Sequence, residues 1–235
     1  VFFPIDEICD RTSLLPHMLA TPEAFAAAMR MLGIGAGSTV VAYDSQGLFS
    51  APRLWWNLRV MGCRSAVVLD GGLPAWIAED RPLESGSPTV PAGDFEASFQ
   101  PQLVRSLEEM TASLAPRAVQ IIDARPAARF SGAAPEPRQG LRSGHMPGAL
   151  NVPFPEVVEN GRLAPADRLR TVFEAAGADL AAPIVTTCGS GISAAVLALA
   201  LARLGRLDVA VYDGSWTEWG GRADTPVVAG PAAEP

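Results

Sequence analysis

The feature that most constrains this chain is that it matches itself. Val40-Val41 aligns with Ile184-Val185, and Gly33 with Gly177, at an offset of 144 residues; Gly62/Gly205, Asp70/Asp213, Gly71/Gly214 and Trp76/Trp219 then align at 143. A loop one residue longer in the first copy accounts for the change of offset. Each copy reads as helix, glycine turn, short β-branched strand, tight loop, apolar helix, strand, and an Asp-Gly turn ahead of an aromatic helix start. That alternation predicts the α/β class, with mainly parallel sheets flanked by helices, and its repetition predicts two domains of one type.

Length alone leaves one large or two smaller domains open for 235 residues, and the repeat favours two. The expected organisation is a first domain over 1–84, a linker over 85–101, a second domain over 102–228 and a tail over 229–235. The linker is rich in Pro, Ser and Gly and lacks a clear period. The second copy has an upstream portion: a strand over Ala118–Ala124, an Arg-rich loop, Gly144-His-Met-Pro-Gly-Ala149, and a strand start at Leu150-Asn-Val-Pro153. The first copy begins only at the equivalent of that last strand. Its domain is therefore expected to be incomplete, lacking the opening strand and its His-x-Pro-Gly segment, with a weakened core and an exposed sheet edge. The first residues, Val-Phe-Phe-Pro, have neither an initiator Met nor a signal-peptide pattern and read as a cut end.

Composition narrows the functional classes. Hydrophobic residues make up 49% and charged residues 18% of the chain, and no apolar stretch approaches the ~20 residues of a membrane span, so a soluble globular protein is expected. A formal charge of −7 argues against nucleic acid as a partner, because phosphate contacts need clustered Lys and Arg. Cys9, Cys63 and Cys188 form no CxxC pair and are odd in number, which predicts reduced thiols in the cytoplasm. Two histidines and scattered cysteines do not have metal-ligand spacing, so neither a metal nor another cofactor is expected.

The chemistry concentrates in Ile184-Val-Thr-Thr-Cys188-Gly-Ser-Gly-Ile-Ser193, where a strand runs into a glycine-punctuated loop and then an apolar helix reaching Leu204. Open α/β sheets bind ligands beyond the carboxyl ends of their strands, which is where Cys188 is predicted to stand. Glycines let successive backbone N–H groups curl toward the sulfur, and the helix N-terminus adds positive potential, so the thiolate nucleophile is favoured. A free cysteine is otherwise most often a small buried hydrophobe, the reading given to Cys9 and Cys63, which lack such a loop.

These two copies, the single cysteine loop, Gly-His-Met-Pro-Gly-Ala, and Val209-Ala-Val-Tyr-Asp-Gly-Ser-Trp-Thr-Glu-Trp219 together resemble the rhodanese superfamily, over residues 1 to about 228. Cys188 followed by Gly-Ser-Gly, an aliphatic and a small hydroxylic residue is similar to the 3-mercaptopyruvate sulfurtransferases within it. The resemblance implies that Arg129 and Arg138, in Ala-Arg-Phe-Ser-Gly-Ala-Ala-Pro-Glu-Pro-Arg, hold the donor's carboxylate, which a guanidinium fork suits well. It also implies that Ser190 orients the thiol or relays protons, and that the N–H groups of Gly189, Gly191, Ile192 and Ser193 stabilise developing negative charge. His145 is expected to be structural and His17 is left unassigned. Asp44 takes the nucleophile's place in the first copy, which therefore cannot carry sulfur there.

The expected function is sulfur transfer from 3-mercaptopyruvate to a thiol, a thioredoxin-like protein or cyanide, through a Cys188 persulfide and with release of pyruvate. Alternatives are a thiosulfate sulfurtransferase, disfavoured because Gly189, Ser190 and Gly191 bring no positive side chain, and a sulfur-carrier or regulatory module built on the incomplete first domain. A rhodanese-like phosphatase would need a longer loop ending in arginine, and Ser193-Ala194-Ala195 offers none.

Overall fold

A computed structural model describes residues 1–114 and 119–232 of the chain. Helix α1, Pro22–Met31, is started by Thr21, whose side chain accepts from the Ala24 N–H, and by Pro22 in its first turn. It is followed by strand β1 (Val40–Ala42), helix α2 (Ala51–Val60), strand β2 (Ala66–Val68) and helix α3 (Gly72–Ala78). β1 and β2 pair in parallel and form a sheet of their own. Val41, Tyr43 and Val67 are exposed on or beside this pair.

Residues 81–100 carry neither helix nor strand. They are nonetheless pinned to the first half: Gly93 N–H donates to Arg30 O at 2.8 Å, Ser98 N–H to Met61 O at 2.9 Å and Gln100 N–H to Val60 O at 2.7 Å. Phe95 is buried, with its ring edge-on to Phe25. The backbone groups a loose linker would leave to water are thus satisfied on the ends of α1 and α2.

The second half contains β3 (Val104–Arg105), α4 (Leu107–Ala112), β4 (Gln120–Asp123), α5 (Ala127–Phe130), β5 (Leu150–Asn151), the hairpin strands β6 (Val158–Glu159) and β7 (Arg162–Leu163), α6 (Ala166–Ala175), β8 (Ile184–Thr187), α7 (Ile192–Arg203), β9 (Ala210–Tyr212) and α8 (Ser215–Trp219). Helix α4 opens with a capping box between Ser106 and Glu109. The strand expected from Ala118 begins at Gln120; Ala118 itself lies outside the described residues, as do residues 233–235 of the expected tail. Five strands form one parallel sheet in the order β3-β9-β8-β4-β5. β8 is central and all four of its residues are buried, which is why it reads as a continuous run rather than an alternation.

Strand register carries the self-match into three dimensions. Val41 pairs with Val67, and Val185 with Ala210, so the first strands of the two pairs are offset by 144 residues and the second strands by 143. Helices α1 and α6, each ten residues long, are also offset by 144.

The two halves share a core. Leu48, Trp55, Trp56 and Val60 from the first pack in one cluster with Val172, Phe173, Leu197 and Leu201 from the second, where α2 lies against α7. Trp56 also donates its indole N–H to Leu103 O at 3.1 Å. The β6–β7 hairpin turns on Asn160-Gly161, both at positive φ, and its Leu163 N–H donates to Asp70 Oδ1 at 2.7 Å. Thus the two-stranded first sheet is supported by apolar burial against the second half. Among the described residues no helix is long and apolar enough to cross a membrane.

Candidate active site at the end of the central strand

β8 ends at Thr187, so Cys188 is the first residue beyond the carboxyl end of the central strand. It is a free thiol and almost fully buried. Gly191 closes the loop at φ +78°, a conformation side chains rarely adopt, and serves as the N-cap of α7, which has no side-chain cap. The first N–H groups of α7 thus point toward the loop without a side chain satisfying them. The start of the loop is held from α8: Cys188 N–H donates to Ser215 Oγ at 3.3 Å, and Cys188 O accepts from Trp216 N–H at 2.9 Å. Gly189 O accepts from Thr217 N–H at 2.9 Å and from Thr217 Oγ1 at 2.6 Å. Ser190 is buried.

Both arginines converge on this loop. A Cβ placed on Gly189 would lie 3.3 Å from Arg129 Nη2 and 3.9 Å from Arg138 Nη1. Arg129, in the last turn of α5, is ion-paired with Glu136, a buried carboxylate that also takes Arg125 Nη1 at 2.7 Å. Arg125 in turn grips Asp123 with Nε at 3.0 Å and Nη2 at 2.6 Å. Burial opposes its charge, but Asp123 and Glu136 outweigh that and raise its pKa. Asp123, Arg125, Glu136 and Arg129 therefore form a balanced chain of charges. Arg138 pairs with no carboxylate among the described residues.

From the first half, Arg53 reaches the far side of the same loop. It is fully buried, with Nη2 2.6 Å from Asp213 Oδ1 and 2.5 Å from His17 O, and Nη1 3.4 Å from Gly191 O. Asp213 Oδ2 also accepts from Leu19 N–H at 2.8 Å. His17 sits at φ +61° with Nδ1 3.0 Å from Asp6 Oδ1. Burial, helped by Arg53 and Arg138, lowers its pKa against the pull of Asp6.

The Rhodanese-like domain family matches residues 106–222. The 3-mercaptopyruvate sulfurtransferase of Escherichia coli K12 is 49% identical over 227 residues, covering 97% of this chain and 81% of that protein. This chain belongs to the 3-mercaptopyruvate sulfurtransferase family of the rhodanese superfamily. A mitochondrial thiosulfate/3-mercaptopyruvate sulfurtransferase of Arabidopsis thaliana is 43% identical over 249 residues, covering 97% of this chain and 66% of that protein. The crystal structure of SseA from Escherichia coli, a 3-mercaptopyruvate sulfotransferase, superposes with a TM-score of 0.84 at 46% identity, covering 92% of this chain and 81% of that one.

In this member of the sulfurtransferase family, His145 stands apart from the loop's hydrogen bonds. Its Nδ1 is 2.9 Å from Phe130 O, its ring stacks on Phe130 with centroids 3.7 Å apart, and its backbone bridges to Val228. Asp44, 144 residues before Cys188, shows what such a loop does to negative charge. Its carboxylate accepts from the N–H groups of Gln46, Phe49, Ser50 and Ala51 at 2.8 to 2.9 Å. Burial raises its pKa, and these four N–H groups outweigh that and lower it. Phe49 lies against Phe154 of the second half, with centroids 5.6 Å apart.

Sequence reasoning gave no part in the site to Arg53, Asp213, Glu136, Ser215 or Thr217. A signal existed for two of them. Arg53 is the one charged residue on the buried face of α2, where Asn57 is the only other polar one, and Glu136 lies between two prolines and between the two arginines.

Proposed function

We propose that this chain moves sulfur from 3-mercaptopyruvate to an acceptor through a persulfide on Cys188. The observation that carries the reading is the approach of Arg129 and Arg138 to Gly189, the residue after the buried thiol. Two cations beside a nucleophile suit a donor that carries a carboxylate a few atoms from its sulfur. Arg129 is already matched by Glu136, so Arg138 provides the uncompensated charge and Arg129 the geometry.

In the first half-reaction the Cys188 thiolate attacks the donor's thiol sulfur, and an S–S bond forms as the donor's C–S bond breaks. The electron pair of that bond stays on carbon, and the enolate takes up a proton to become pyruvate. Ser190 orients the thiol and relays the proton, while the N–H groups of Gly189, Gly191, Ile192 and Ser193 stabilise negative charge. Asp44 supports the part given to Ile192 and Ser193, because their counterparts at the offset of 143, Phe49 and Ser50, donate their N–H groups to its carboxylate. In the second half-reaction a thiolate, from a small thiol or a thioredoxin-like protein, or cyanide attacks the outer sulfur and frees Cys188.

The organisation we read is two rhodanese-like domains, 1–84 and 102–228, with 85–101 between them and a tail over 229–235. The offsets of strand register support it. Three free cysteines support a reducing compartment, the cytoplasm.

The test is to mix the purified chain with 3-mercaptopyruvate or thiosulfate and read pyruvate release together with the mass of the Cys188 peptide, with Cys188→Ser as control. Pyruvate and a gain of one sulfur with mercaptopyruvate, and neither in the Cys188→Ser variant, is the expected result. A mass gain without continued turnover in added thiol would make the chain a sulfur carrier, and no adduct from either donor would overturn the reading.

A further inference from the structure

The conformation of Ser215 is not demanded by the fold alone. It sits at φ +51°, in the left-handed region, and is fully buried. Its counterpart in the first half, 143 residues earlier, is Gly72, at φ +54°. The surrounding turns are built alike: Trp216 N–H donates to Cys188 O at 2.9 Å, and Leu73 N–H donates to Asp44 O at 2.9 Å. Glycine is therefore sufficient to form this turn, and it is the residue for which left-handed backbone carries no steric cost. At Gly72 a Cβ would come 2.6 Å from Asp44 O and 2.7 Å from Gly47 O. The second half instead keeps a side chain at a position where one is strained.

What that side chain touches explains its presence. Ser215 Oγ donates to Tyr212 O at 2.8 Å, which fixes the hydroxyl's rotor. Its lone pairs then face Cys188 N–H at 3.3 Å and Thr187 Oγ1 at 3.5 Å. Strained backbone that persists beside a reactive group is a mark of function rather than of folding. We propose that Ser215 is a positioning residue for sulfur transfer: its hydroxyl locks the Cys188 peptide, and with it the direction of the thiol, relative to the arginine pair. Thr217, holding Gly189 O, secures the next peptide in the same way. This inference rests on Cys188 being the sulfur-carrying nucleophile.

The test compares the parent with Ser215→Gly, which removes the hydroxyl and relieves the strain, and Ser215→Ala, which removes the hydroxyl and keeps it. Labelling the cysteines with 15N gives three amide signals, from Cys9, Cys63 and Cys188, so hydrogen exchange can be followed at each. In Ser215→Gly the Cys188 amide is expected to exchange roughly tenfold faster while Cys63 is unchanged, as loss of one hydrogen bond implies. Its kcat with 3-mercaptopyruvate falls by roughly tenfold with KM within about twofold, and melting stays within a few degrees of the parent. Ser215→Ala shows the same kinetic loss with a lower melting temperature. Unchanged Cys188 exchange, or faster exchange with unchanged kcat in Ser215→Gly, would overturn the proposal. A parent chain that releases no pyruvate would instead overturn the functional reading, a result distinguishable because the exchange measurement needs no substrate.

Discussion

Arg53 and Asp213, one from each half of the chain, close an ion pair of 2.6 Å in which the side chains are 0% and 5% exposed. The same guanidinium takes His17 O and Gly191 O, and the same carboxylate takes Leu19 N–H. One buried pair thus ties the N-terminal segment, α2, the end of β9 and the last glycine of the cysteine loop together.

Removing one partner of such a pair leaves the other charge buried and alone, at a cost of about 3 to 5 kcal/mol. Asp213→Ala and Arg53→Met should each lower the unfolding free energy read from urea denaturation by that amount. The double variant Arg53→Met/Asp213→Leu should recover part of the loss. Single variants within about 0.5 kcal/mol of the parent would show that the clasp contributes no net stability.

The arginine pair should separate the two sulfur donors. Losing a charge-assisted hydrogen bond costs about 1.5 to 3 kcal/mol, so Arg138→Ala should raise the KM for 3-mercaptopyruvate roughly 10- to 100-fold, and affect thiosulfate much less. Arg129→Ala should show the same preference with an added loss of thermal stability, because Glu136 then keeps only Arg125. Equal losses on both donors would contradict the carboxylate clamp.

The loop glycines should respond differently to an added methyl group. At Gly191 a Cβ would meet Arg53 Nη1 at 2.5 Å, and φ is +78°. Since Arg53 is enclosed and cannot swing away, Gly191→Ala should destabilise the protein by about 1 to 3 kcal/mol and suppress turnover. At Gly189 the nearest atom is Arg129 Nη2 at 3.3 Å, at the rim of the donor site. Gly189→Ala should leave the melting temperature nearly unchanged and raise the donor's KM.

His145 should shape the acid side of the stability curve. Burial lowers its pKa, opposed by Phe130 O and Asp123. Between this lowered value and the ordinary ~6.5 of an unfolded histidine, the unfolded chain binds more protons than the folded one. Stability from this residue is therefore fully present above about pH 6.5 and is lost as pH falls toward the folded pKa. Melting temperatures of His145→Asn should fall less steeply between about pH 7 and 5 than those of the parent; a parallel slope would refute the assignment. His17, whose pKa is also lowered, keeps some slope in the variant.

The parallel sheet, the position of Cys188 at the end of a strand and the glycine-punctuated loop that leads into α7 were all readable from residue order. So was the family, since the Cys188 loop, the Gly144-to-Ala149 segment and the Val209-to-Trp219 run are contiguous. The stretch over 81–100 was legible only in part: its Pro, Ser and Gly content foretold the lack of regular structure, but not that Phe95 would be buried against Phe25. Glu136 was overlooked because its importance lies in what it neutralises, which a list of residues does not reveal.

Residue order by itself determined the local terms: which segments bury one face, where glycines let the backbone turn tightly, and that one of three cysteines stands on a glycine loop. Tertiary structure alone decided the terms that depend on partners distant along the chain. Arg53 meets Asp213 across 160 positions, and Ser215 meets Cys188 across 27. The physical reason is that periodicity and dihedral preference act over a few residues, whereas burying a charge or a polar hydrogen is tolerated only where the folded chain delivers a partner to it.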